Sequence, residues 1–184
     1  MKPRTSSTHP LEIATLKLPG GGRLGLTFCP GKHDPHAMTG PWERDLDTDL
    51  AAITAWGATT LVTLMETPEL IYLRVADLGT RAKAHGLTWH QLPIPDVSIP
   101  GEDFEAAWPA ASADLHRRIQ EGEGIVIHCR GGLGRTGLVA ARLLIEQAER
   151  PEKALRRVRE SRPGAVETPE QEEFVLHKCR VRDV

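Results

Sequence analysis

A chain of 184 residues, 40% apolar and 26% charged, fits one globular domain and is too ordinary in composition to be disordered. Its 23 Lys and Arg face 25 Asp and Glu, so no basic excess marks nucleic acid or an anionic membrane as its partner. No run approaches the ~20 apolar residues of a membrane span, and the first residues, MKPRTSSTHPLEIATLKL, hold no apolar signal-peptide stretch. A cytoplasmic location is therefore expected. Cys29, Cys129 and Cys179 are odd in number, widely spaced and without a C-x-x-C pair. That argues against a disulfide scaffold and against zinc.

In chain order, residues 1–10 are polar and read as a mobile segment. Glu12–Leu18 and Arg23–Phe28 read as strands joined by Pro-Gly-Gly-Gly, an N-terminal β-hairpin. Residues 30–41 read as loop. Asp45–Trp56 has helical periodicity, with Gly57 as its stop. Thr59–Met65 is a β-branched run of the kind found in buried strands. A helical region runs from Thr67-Pro68 to His85-Gly86, and Leu87–Leu92 is the next strand. Phe104, Trp108, Ala111, Leu115 and Ile119 recur at helical spacing, with Glu102 and Asp103 in the first turn. Ile125–Ile127 is a short buried strand; helices follow at Arg135–Ala148, at Pro151–Arg159 and from Thr168-Pro169. Strands alternating with helices predict an α/β fold with a largely parallel central sheet flanked by helices.

The informative segment is Ile125-Val126-Ile127-His128-Cys129-Arg130-Gly131-Gly132-Leu133-Gly134-Arg135-Thr136-Gly137. A buried strand delivers a cysteine into a glycine-rich loop that opens a helix. Inward-turned N–H groups and a helix N-terminus cradle an anion, and Arg135 supplies a two-pronged grip for phosphate oxygens. The same setting favours thiolate over thiol at Cys129. Nucleophile and tetrahedral oxyanion thus share one loop, as phosphoryl transfer through a phosphocysteine requires. The Walker nucleotide loop needs Gly-Lys-Ser/Thr, which this segment lacks.

The Cys-(five residues)-Arg-Thr spacing after a strand and His128 resembles the signature loop of the protein tyrosine phosphatases, and the chain length resembles their dual-specificity branch. Together with Phe28-Cys-Pro-Gly31, the loop is similar to that of the kinase-associated phosphatases in that branch. Pro93-Ile-Pro-Asp96 and Gly164-Ala-Val-Glu-Thr-Pro-Glu-Gln171 match further family segments, so the resemblance spans about residues 24–178. It implies a single phosphatase domain over residues 11–184 with the tyrosine phosphatase fold and no cofactor or metal.

By the resemblance, Asp96 is the general acid and then the base. Gln171 positions water and Glu167 supports it. Arg130, Gly131, Gly132, Leu133, Gly134 and Arg135 hold phosphate. Thr136 donates to the Cys129 sulfur, and His128 organises the loop. The expected substrate is a phosphorylated protein, on tyrosine or also on serine and threonine, acted on by a monomer. A silent phosphate-binding module and a phosphatase of non-protein monoesters are the alternatives. Residues 30–42 are candidates for the pocket lining, with Trp42 as a wall. His33-x-x-His36 lacks a completing ligand set for a metal. Arg156-Arg157-Val158-Arg159 reads as a solvated helix face.

Overall fold

The structure, a computed structural model, describes residues 1–182. The last two residues of the expected domain lie outside the described residues. Strand β1 (Ala14–Lys17) pairs antiparallel with β2 (Arg23–Thr27) as the predicted hairpin. Next come the short strands β3 (His33–Asp34) and β4 (Trp42–Glu43), helix α1 (Leu46–Trp56) and β5 (Ala58–Thr63). Helices α2 (Thr67–Tyr72) and α3 (Leu78–Ala84) precede β6 (Thr88–Gln91). Then α4 (Glu102–Gln120), β7 (Gly124–His128), α5 (Gly134–Glu146), α6 (Pro151–Ser161) and α7 (Pro169–His177) complete the order.

The main sheet runs β1-β2-β7-β5-β6, parallel except at the β1 edge. Its register aligns Thr27, His128, Thr63 and Gln91, the last residues of four neighbouring parallel strands. The four loops that follow therefore open on one side, where ligands bind in open α/β sheets. Every residue of β7 is buried, as expected for a central strand covered on both faces. Helix α5 is buried around almost its whole circumference and packs on β7, β2, α6 and α7. Among the described residues no helix is long and apolar enough to cross a membrane.

Two expectations change. The helical region predicted over Thr67–Gly86 is two helices, because Leu73 and Val75 are both fully buried. Residues two apart cannot share one helix face, so the chain turns between them at Arg74, which takes φ 59°. The predicted loop 30–41 contains β3, which pairs antiparallel with β4. Within residues 1–10, Arg4 and Ser6 make definite contacts. Arg4 N–H donates to the Pro41 carbonyl at 2.9 Å and Glu43 N–H to the Arg4 carbonyl at 3.0 Å. Ser6 Oγ accepts from Asp45 N–H at 2.9 Å.

The segment after β2 is fixed by a buried ion pair. Arg44 grips Asp49 of α1 through both prongs, each at 2.8 Å, and donates to the His9 carbonyl at 2.7 Å. Asp49 Oδ2 also accepts from Gly31 N–H at 2.8 Å. Removing one member of such a pair strands a buried charge. Arg44→Met is expected to destabilise the chain by about 3–5 kcal/mol. Arg44→Met with Asp49→Leu should recover much of that loss, as read from urea midpoints.

Candidate active site

Cys129 is the first residue beyond β7 and is 3% exposed. The loop that follows has its carbonyls tied outward by groups from elsewhere. The Arg130 carbonyl accepts from Cys29 N–H and from Lys32 Nζ, each at 3.3 Å. The Gly131 and Gly132 carbonyls accept from Arg162 Nη2 and Nε, each at 3.1 Å. The Leu133 carbonyl accepts from Gly137 N–H at 2.8 Å and Val166 N–H at 3.3 Å. In a trans peptide the carbonyl and the next N–H point oppositely. The N–H groups of residues 131–134 are thereby turned into the hollow above Cys129, at the N-terminus of α5. Gly132 takes φ 70°, and a Cβ there would collide with the Thr27 carbonyl oxygen. The close approach of loop to β2 therefore requires glycine at this point.

Arg135 stands in the first turn of α5 with its side chain 2% exposed. Nη1 donates to Glu69 Oε2 at 2.8 Å and to the Ile94 carbonyl at 3.0 Å. Nη2 donates to Glu69 Oε1 at 2.9 Å and to Asp96 Oδ1 at 3.0 Å. Burial works against its charge, but Glu69 above all, with Cys129 and Asp96, holds its pKa above the ordinary value. Glu69 Oε2 also accepts from Glu66 N–H at 2.9 Å, capping α2.

Asp96 lies in the loop after β6, with its side chain 53% exposed. Its Oδ1 also accepts from Val97 N–H at 3.0 Å. Val97 takes φ 54°, a strained conformation for a β-branched residue. On the far side of this loop the Ser98 carbonyl accepts from Gln171 Nε2 at 3.0 Å. Gln171 is fully buried, and its Oε1 accepts from the N–H groups of Glu167 and Thr168 at 3.0 and 3.2 Å. The acid-bearing loop is thus tied to α5 through Arg135 and to α7 through Gln171.

The structure gathers Cys129, Arg130, Leu133, Gly134, Arg135, Asp96, Glu167 and Gln171 around one open cleft of about 560 Å³, with residues 36–39 on its far wall. Glu167 is at the exposed rim. Three predicted details change. The Arg130 guanidinium does not serve the hollow: Asp34, 1% exposed, takes it through two bonds of 3.0 and 3.1 Å. The Thr136 hydroxyl makes no bond to the Cys129 sulfur; it is buried without a partner among the described residues. Trp42 is not a wall of the cleft. It packs against the cations of Arg4, Lys32 and Arg44, which its ring attracts. Away from the cleft, Arg159 keeps a solvent-exposed side chain and also donates to the Ala165 and Val166 carbonyls, each at 3.0 Å.

His128 is fully buried. Trp89 Nε1 donates to Thr63 Oγ1 at 2.8 Å, which leaves the Thr63 proton for His128 Nε2 at 2.7 Å. The imidazole proton then sits on Nδ1, facing the Cys129 carbonyl at 3.3 Å. Burial pushes the pKa of His128 down from 6.5 to about 4, with Arg135 adding to the effect.

Sequence reasoning did not find Glu69, Asp34, Lys32 or Arg162. Each lies far from Cys129 along the chain. The one local signal was Glu69 at the third position of a Thr-Pro-opened helix, the place of a capping carboxylate.

A family model described as "Tc-R-P: Polymorphic toxin system, DSP-PTPase phosphatase" matches residues 37–149. The chain belongs to the dual-specificity protein tyrosine phosphatase family. Within that family it is 31% identical to cyclin-dependent kinase inhibitor 3 of Rattus norvegicus over 97% of this chain and 83% of the relative. It is 30% identical to the same protein of Homo sapiens over 85% of this chain and 71% of the relative. The solved structure of kinase associated phosphatase, with its catalytic-site cysteine replaced by serine, superposes with a TM-score of 0.80 at 27% identity. That match covers 92% of this chain and 93% of the other. A second family structure, Tk-PTP in the active form, gives a TM-score of 0.64 at 26% identity over 88% and 93% of the two chains. The predicted family fold is thereby shown.

Two outcomes follow from this geometry. Arg162→Met frees two loop carbonyls from a charged donor, each such bond being worth about 1.5–3 kcal/mol. Vanadate affinity by calorimetry is expected to fall at least about tenfold. For His128 the folded pKa lies below the unfolded one, so the unfolded chain binds the proton more tightly between the two. Stability is expected to fall as pH drops from about 6.5 to about 4, by roughly 3 kcal/mol at the end of that window. His128→Asn should flatten that slope in urea titrations.

Proposed function

We propose that this chain hydrolyses phosphate monoesters on proteins, phosphotyrosine first and phosphoserine and phosphothreonine after it, through a phosphocysteine at Cys129. The observation that carries the reading is that Cys129, Arg135 and Asp96 line one cleft, with Arg135 Nη2 3.0 Å from Asp96 Oδ1.

Phosphate entering the hollow exchanges with the Asp96 carboxylate on Arg135, and Asp96, freed and open to solvent, takes up a proton from water for the leaving oxygen. The Cys129 thiolate forms the S–P bond as the P–O bond to the substrate breaks, and protonated Asp96 gives its proton to the departing oxygen. The equatorial oxygens lie against the loop N–H groups and Arg135. Water then attacks phosphorus, Asp96 takes its proton, and the sulfur leaves as thiolate. Gln171 retains one Nε2 proton for that water after its bond to Ser98, and the unpartnered Thr136 hydroxyl is available to the departing sulfur.

Phosphotyrosine is favoured because the cleft lined by buried Cys129 is lined also by the exposed apolar side chains of Met38 and Val97, which suit a ring. A single phosphate is favoured because Arg130 is already neutralised by Asp34. Likeness to cyclin-dependent kinase inhibitor 3 and kinase associated phosphatase supports a phosphoprotein substrate.

The test is turnover of para-nitrophenyl phosphate with chelator and thiol present. The native chain should turn over and Cys129→Ser should not; equal rates would overturn the reading. Arg135→Lys should be severe, since a point charge lacks the fork. Asp96→Asn should slow alkyl phosphates by about 10²–10⁴-fold and nitrophenyl phosphate less. An unchanged rate on phosphoserine peptides would remove Asp96 as the acid.

A further inference from the structure

We propose that Lys32 is a positioning residue for the nucleophile, its buried ammonium serving as the counter-charge that holds Cys129 as a thiolate before phosphate arrives. This rests on the reading of Cys129 as nucleophile. Three cations line the cleft. Arg135 is paired with Glu69 and Asp96, and Arg130 with Asp34. Lys32 is 5% exposed and has no carboxylate within ion-pair distance among the described residues.

Its Nζ donates to the carbonyl of Arg130, the residue after Cys129, at 3.3 Å, and lies 4.8 Å from the ring centroids of both Phe28 and Trp42. Two ring faces and one carbonyl only partly replace the water that a buried ammonium loses. An anion beside it is the missing element, and Cys129 lines the same cleft. Burial pushes the pKa of Lys32 down to about 8, so the group remains charged at neutral pH.

The charged and titratable groups facing it are Cys29 after β2, Asp34 in β3, and Cys129 and Arg130 after β7. Arg44 shares the Phe28 and Trp42 rings from the other side. Asp34 is engaged with Arg130, and burial holds Cys29 as the neutral thiol. Of these neighbours, Cys129 alone is left to supply the anion. Arg135, paired with two carboxylates, and Arg162, which donates to two loop carbonyls, add their fields at the sulfur, so the share of Lys32 is read as a shift of the Cys129 midpoint.

The experiment is the pH dependence of iodoacetamide alkylation, with mass spectrometry locating the label. Cys29 and Cys179 are buried with raised pKa values and do not compete at low pH. Lys32→Gln keeps a donor for the Arg130 carbonyl and removes the charge; Lys32→Arg keeps the charge. The Lys32→Gln midpoint at Cys129 is expected to rise by about one unit, which is about tenfold slower labelling near pH 6. Lys32→Arg should stay near the native midpoint. A folded Lys32→Gln with the native midpoint overturns the proposal. Should Lys32→Gln fail to fold by circular dichroism, Lys32→Met, which preserves the packing against both rings, is read against the same two outcomes. A native midpoint in the ordinary thiol range near 8.5 would overturn the nucleophile reading itself, and the role of Lys32 with it.

Discussion

A guanidinium cannot shed its proton to escape burial, so the charge of Arg135 has to be met where it stands. Glu69 arrives from the segment after β5, Ile94 and Asp96 from the segment after β6, and Arg135 itself from the segment after β7. One side chain therefore ties three of the four loops at the open end of the sheet. The parallel register makes this possible by ending the strands level with one another. The fourth loop, after β2, is joined through Asp34 to Arg130 and through Gly31 to the Arg44–Asp49 pair. These buried pairs do little for net stability by themselves. Their effect is to give each loop one electrostatically acceptable position.

The anion cradle follows from the same principle at the backbone. Glycine permits many loop conformations, and a loop free to choose would not hold four N–H groups inward. The choice is made by the donors to its carbonyls: Lys32, Cys29 N–H, Arg162 and Val166 N–H. His128 anchors the strand end through Thr63 and Trp89, neutral and out of the proton chemistry. Preorganisation of this kind is what electrostatic stabilisation of a charged transition state demands.

The cysteine loop was legible because its chemistry is local: a β-branched run, a cysteine, four glycines and two arginines lie within thirteen residues. The α/β order was legible from alternating periodicities. The helix break at Arg74 was hidden because an exposed apolar residue is ordinary on a helix, and the sequence does not say that Leu73 and Val75 are both buried. Lys32, Asp34, Glu69 and Arg162 were hidden for a different reason. A charged residue far from the motif reads as solvated, and only the tertiary fold shows which charges it brings to the site. Trp42 read as a wall because aromatic rings line pockets, whereas here three cations compete for its faces.

Glu69 carries two duties with one carboxylate: it accepts from the N-terminal turn of α2 and clamps the arginine of the anion cradle. Helix α2 has six residues, too few to stand without its cap. Fraying of that short helix and loosening of Arg135 are consequently one event. The grip on a bound oxyanion is therefore coupled to the local unfolding equilibrium of a surface segment that never touches it. A phosphate held in the hollow would register as slowed amide exchange along Thr67–Tyr72.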